Sequence, residues 1–79
     1  MYAGAYKLTE DAVLTVSAED GKLFAQLGEQ PKLQVYAETP NIFFYKVVKA
    51  SLEFVKTSEV EVAYVLLRQN GVIMRATKI

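Results

Sequence analysis

The chain has 79 residues, of which 52% are hydrophobic, and nine basic and nine acidic side chains cancel to zero net charge. That length allows a single domain over 1–79 with a thin core, burying roughly 60–65% of its unfolded surface, and the hydrophobic share argues against disorder. The chain has no cysteine and no histidine, which excludes disulfides, thiolate nucleophiles and sulfur metal ligands and removes the commonest general base and zinc ligand.

Period-two alternation runs along the chain and predicts strands near 2–8, 12–19, 22–28, 32–38, 42–47, 50–56, 60–69 and 72–79. In the first, Tyr2 and Tyr6 fall on one face. In the second, Leu14 and Val16 alternate with Thr15 and Ser17; in the third, Leu23, Ala25 and Leu27 alternate with Lys22 and Gln26. Leu33, Val35 and Ala37 alternate with Lys32, Gln34 and Glu38 in the fourth. Successive strand side chains point to opposite faces, so each segment has one face suited to a core. Asp20-Gly21 and Asn70-Gly71 mark tight hairpins, because both residue types tolerate the positive φ that such turns require. Gly28 to Pro31 and Thr39-Pro40-Asn41 mark looser links, and Lys56 to Glu59 a weaker turn without glycine.

Links this short join antiparallel neighbours, since parallel neighbours need long crossovers. Closing such a meander removes exposed edges, which predicts an all-β fold: a small antiparallel eight-stranded barrel or barrel-like sheet. About eight strands leave an interior that side chains just fill or that holds one small ligand, and the shortness of these strands favours the filled interior. Leu23, Val35, Phe43, Leu52, Phe54 and Leu67 are expected in one core.

Several stretches, in order, carry a family resemblance: Tyr2-Ala3-Gly4-Ala5-Tyr6, Glu19-Asp20-Gly21-Lys22-Leu23 with Gln26-Leu27, Gln30-Pro31, Phe43-Phe44, Leu52-Glu53-Phe54 and Gln69-Asn70-Gly71. Together they resemble the domain of unknown function found C-terminal to the catalytic domain of beta-lactamase-related serine hydrolases, enzymes similar to class C beta-lactamases and penicillin-binding proteins. The resemblance implies a lipocalin-like barrel that is accessory to a neighbouring hydrolase domain, with the catalytic serine and lysine in that partner. Tyr64 and Leu66 stand at positions that the family usually keeps small or polar.

Reaction chemistry finds little footing. Ser17, Ser51 and Ser58 are followed three residues later by Asp20, Phe54 and Glu61, so none forms Ser-x-x-Lys. The carboxylate pairs Glu19/Asp20 and Glu59/Glu61 carry no sign of the burial that splits two pKa values, and Glu59/Glu61 lacks the further oxygen ligands that calcium needs. The chain is read as non-enzymatic, with no catalytic, cofactor-binding or metal-ligating residues. Lys46 and Lys49 are the nearest approach to a basic cluster, too little for phosphate neutralisation, so no nucleic-acid partner is expected. No apolar run approaches the ~20 residues of a transmembrane helix, so the chain is not expected to span a membrane. Its opening lacks a basic stretch followed by an apolar one, so no signal peptide is expected in it.

Two strands are apolar on both faces: Ile42 to Val48, and Ala63 to Leu67. A barrel has one interior, so the second face calls for another chain, another domain or a ligand, unless a bulge or long lysine stems account for it. Zero net charge removes repulsion between copies. The expected role is a β-barrel interaction module that forms a homo-oligomer or docks on a hydrolase domain, with Phe44, Tyr45, Tyr64 and Leu66 as interface residues. The alternative is a lipocalin-like carrier of a small apolar ligand, which requires small side chains inside.

Overall fold

The computed structural model describes residues 2–58 and 61–79. Eight strands follow in order: β1 (Gly4–Thr9), β2 (Ala12–Glu19), β3 (Lys22–Leu27), β4 (Leu33–Ala37), β5 (Ile42–Tyr45), β6 (Ala50–Lys56), β7 (Val62–Gln69) and β8 (Val72–Lys78). Each pairs antiparallel with the next, and β8 returns to β1, closing an all-β barrel. Among the described residues no helix is long and apolar enough to cross a membrane. The expected start of β7 near Val60, and the Glu59 half of the Glu59/Glu61 pair, lie outside the described residues.

The two tight hairpins form for the local reason expected. Asp20 and Gly21 have φ of 52° and 75°, and Asn70 and Gly71 have φ of 52° and 78°. Positive φ at both central residues gives the turn whose twist matches the strands it joins. The looser links are tied by their own hydrogen bonds. The Glu38 amide donates to the Ile42 carbonyl at 2.8 Å, and the Phe54 amide donates to Asn41 O at 2.8 Å. The Gln26 side-chain amide donates to Gln30 O at 3.0 Å.

The core is the barrel interior. Tyr6, Leu14, Val16, Ala25, Val35, Leu52, Phe54, Val62, Val65, Leu67 and Ala76 are buried, with Leu23, Leu27, Phe43 and Tyr45 packed partly buried against them. Of the expected core, Val35, Leu52, Phe54 and Leu67 are fully inside. Leu23 and Phe43 sit toward the end of the barrel that holds the chain termini, and the solvent there reaches them.

That lower end is closed by aromatic rings. Tyr2, just ahead of β1, stacks on Phe54 with centroids 4.4 Å apart and meets Phe43 edge-on at 5.6 Å. Its hydroxyl donates to the Pro40 carbonyl at 2.6 Å and lies 2.7 Å from the Asn41 side-chain amide. The buried Tyr6 hydroxyl donates to the Tyr2 carbonyl at 2.7 Å. Tyr2 therefore acts as a plug rather than as a strand residue, which is why β1 begins two residues later than expected. Between the two tyrosines, Gly4 holds φ of 149° with the Lys78 stem close enough that a Cβ would lie 3.0 Å from its Cε.

Phe54 touches every ring of this plug, so Phe54→Ala is expected to cost about 3–5 kcal/mol, a large part of the stability of so small a domain. Denaturant unfolding followed by circular dichroism measures it; an unchanged midpoint would show that the ring cluster is not a core.

Candidate functional site

Cross-strand register decides which apolar face of β5 and β7 is inside. Val35 pairs with Tyr45, Phe43 with Leu52, Leu52 with Leu67 and Phe54 with Val65. Direct partners share a face, so Phe43, Tyr45, Val65 and Leu67 point inward. Ile42, Phe44, Tyr64 and Leu66 point outward, joined by Val55 opposite Tyr64. Three of the expected interface residues, Phe44, Tyr64 and Leu66, thus share the outer surface. Tyr45 does not: it pairs with buried Val35 and packs against the core. A strand apolar on both faces gives no sign in its own pattern of which face is buried.

Part of the outer cover comes from the chain itself. The Arg75 guanidinium lies 4.0 Å from the Tyr64 ring centroid. Arg68 and Glu53 pair at 2.6 Å across β6 and β7, with Glu53 directly opposite Leu66. Tyr36, beside Phe44 at 5.9 Å between ring centroids, carries the Lys46 ammonium 4.1 Å above it. Lys32 lies 5.4 Å from the Phe24 centroid and also pairs with Glu19 at 2.5 Å. Cations with long apolar stems favour such faces, because stem and charge both find a use. Tyr64, Leu66 and Phe44 are accordingly half-buried rather than bare.

Apart from Ile79 at the end of the chain, the exposed large apolar side chains lie toward the opposite, upper end. Val47 and Val48 are exposed in the link between β5 and β6, and Val72, Ile73 and Met74 at the start of β8. A cavity of about 80 Å³ opens at the upper mouth, with walls that include Leu27, Leu33, Tyr45, Val48 and Leu67. Small-molecule sites usually span ~300–1,000 Å³, and one water takes about 30 Å³ of liquid. The upper mouth therefore has room for a few waters, while a more open depression of about 420 Å³ lies at the lower end beside Leu23, Val35 and Phe43.

The serines are scattered. Ser17 is on β2, Ser51 on β6 and Ser58 in the link after β6. Among the described residues no three His, Cys, Asp or Glu side chains gather as a metal site. No family model, curated protein or solved structure matches the chain.

Burial holds the phenols of Tyr6 and Tyr45 above the ordinary value of 10.0. A raised phenol keeps its proton longer in the folded chain than in the unfolded one. Its contribution to stability is complete below pH 10.0 and is lost as pH rises through the folded value. Thermal melts carried above that pH should show falling stability, and Tyr45→Phe should lessen the fall. An identical alkaline profile in Tyr45→Phe would show that this phenol contributes nothing to it.

Proposed function

We propose that this chain is a non-catalytic β-barrel interaction module that associates with its own kind through apolar outer surface. The observation that carries the proposal is the division of its apolar residues: the interior is packed largely by its own side chains, yet Ile42, Phe44, Val55, Tyr64 and Leu66 continue outside over three adjacent strands. Tyr64 with Arg75 stacked on it is the kind of pair enriched at interface centres, where rigid aromatic and guanidinium planes desolvate well. The absence of net charge leaves no general repulsion between copies. In a relative fused to a hydrolase, the same face would dock on the catalytic domain. The order of segments from Tyr2-Ala3-Gly4-Ala5-Tyr6 to Gln69-Asn70-Gly71 supports that accessory setting.

Changing Tyr64→Glu together with Leu66→Lys should leave a folded barrel, because both side chains point outward. It should weaken self-association about tenfold or more. Light scattering over a concentration series, with circular dichroism as the fold check, tests this. A wild-type chain that stays monomeric at high concentration would sink the proposal.

The purified chain should also leave ester and β-lactam reporters unhydrolysed. Turnover that vanished in Ser17→Ala, Ser51→Ala or Ser58→Ala would overturn the non-catalytic reading.

A further inference from the structure

The seam between the last strand and the first is short. β8 pairs with β1 at two positions, Tyr6 with Lys78 and Lys7 with Thr77, and β1 shifts register between Lys7 and Thr9. On its other side β8 pairs with β7 from Val72 to Thr77. Val72 to Ala76 therefore have a sheet partner on one side alone, among the described residues.

The direction of the backbone groups along this segment follows from two observations. The two-residue turn at Asn70-Gly71 makes Gln69 and Val72 a hydrogen-bonded pair, so Val72 and every second residue after it aim their N–H and C=O at β7. At the far end, the Ile79 amide donates to Ala5 O at 3.0 Å, so odd-numbered residues aim at β1. Ile73 and Arg75 thus present their backbone groups to the open side of the seam.

Sheet edges are usually protected by lysine, proline or an inward charge. Val72-Ile73-Met74 has none of these, and the three side chains are 56%, 60% and 39% exposed. The neighbouring charge, Arg75, is stacked on Tyr64 at 4.0 Å and does not guard the edge.

We propose that a second copy of this chain adds its own β8 to this edge, antiparallel, in a register centred on Ile73. The proposal rests on self-association of the chain, and it uses a contact of its own, the β8 edge rather than the outer face of β5 to β7. A two-fold axis normal to the sheet must set residues of like face opposite one another, so it lies midway between one residue and its own copy. Centred on Ile73, it lets the two Ile73 residues exchange both backbone hydrogen bonds. It also sets Val72 opposite Met74 of the second copy, and Met74 opposite that copy's Val72. Apolar thus meets apolar on both faces, and no like charges are brought opposite each other. Centring on Met74 instead would set Ile73 opposite Arg75 and push the second copy's hairpin turn toward β1. Three exposed apolar side chains on each copy fall well short of the roughly 1,200 Å² of a stable interface, so the dimer is weak and reversible.

Sedimentation over a wide concentration range, on the wild type and three variants, tests this. Ile73→Pro removes an N–H that faces the edge and spares the ladder to β7, as proline on an edge strand does. Ile73→Lys adds the missing edge charge. Both should stay folded by circular dichroism and dissociate about tenfold or more readily than the wild type. Retained dimerisation in both, with loss in Tyr64→Glu/Leu66→Lys, would overturn the edge pairing and leave the association reading standing. A wild type with no concentration dependence would overturn both. Were Ile73→Pro to unfold, Ile73→Lys alone decides.

Discussion

Tyr6 with Lys78 and Lys7 with Thr77 are the pairs through which the last strand meets the first. Strands of four to eight residues offer few hydrogen bonds each, and an open sheet of them would leave two unpaired edges. Closure removes those edges at the lower end and makes a single interior, leaving β8 open only from Val72 to Ala76 among the described residues. The contact is secured at the lower end. There Tyr2 and Tyr6 bracket Gly4, Phe54 touches both of them and Phe43, and the Tyr2 hydroxyl ties the first residues of the chain to the link after β4. The N-terminal segment contributes a ring and a hydrogen bond at the place where closure is most exposed to fraying.

The two ends of the barrel differ as a result. Rings fill the lower end, and Lys56 and Lys78 reach over them, 5.2 and 5.4 Å from the centroids of Tyr2 and Tyr6. At the upper end β1 and β8 diverge, the four-residue strand β5 gives way to an exposed link, and a small cavity remains between Leu27, Leu33, Tyr45 and Leu67. The outer surface keeps its aromatic residues half-covered by cations on long stems. This economy suits a chain with equal numbers of acids and bases: its charges shield apolar surface locally without building a field around the whole. Where no such stem reaches, at Val72 to Met74, apolar surface and free backbone groups coincide. Both are the ingredients of strand addition.

The alternation of Leu14 and Val16, or of Leu33 and Val35, made their strands and inward faces legible, because a half-buried strand writes its environment in every second residue. The hairpins at Asp20-Gly21 and Asn70-Gly71 were equally legible, since positive φ is a property of the residues themselves. For the candidate site, the sequence showed that β5 and β7 carry apolar residues on both faces; it offered Phe44, Tyr45, Tyr64 and Leu66 for the outside without a sign of its own to choose the face, and Tyr45 turned out to be inside. What only tertiary structure decided is whatever depends on register between distant segments. Tyr45 faces inward because it lands opposite Val35. Tyr2 is a plug because Phe54 and Pro40 lie where its ring and hydroxyl end. Arg75 covers Tyr64 because β8 folds back on β7, and the short seam exists because β1 changes register after Lys7. A side chain's own neighbours in sequence carry information about its turn and its alternation. They carry none about a partner some seventy residues away, whose position is set by the closure of the whole barrel.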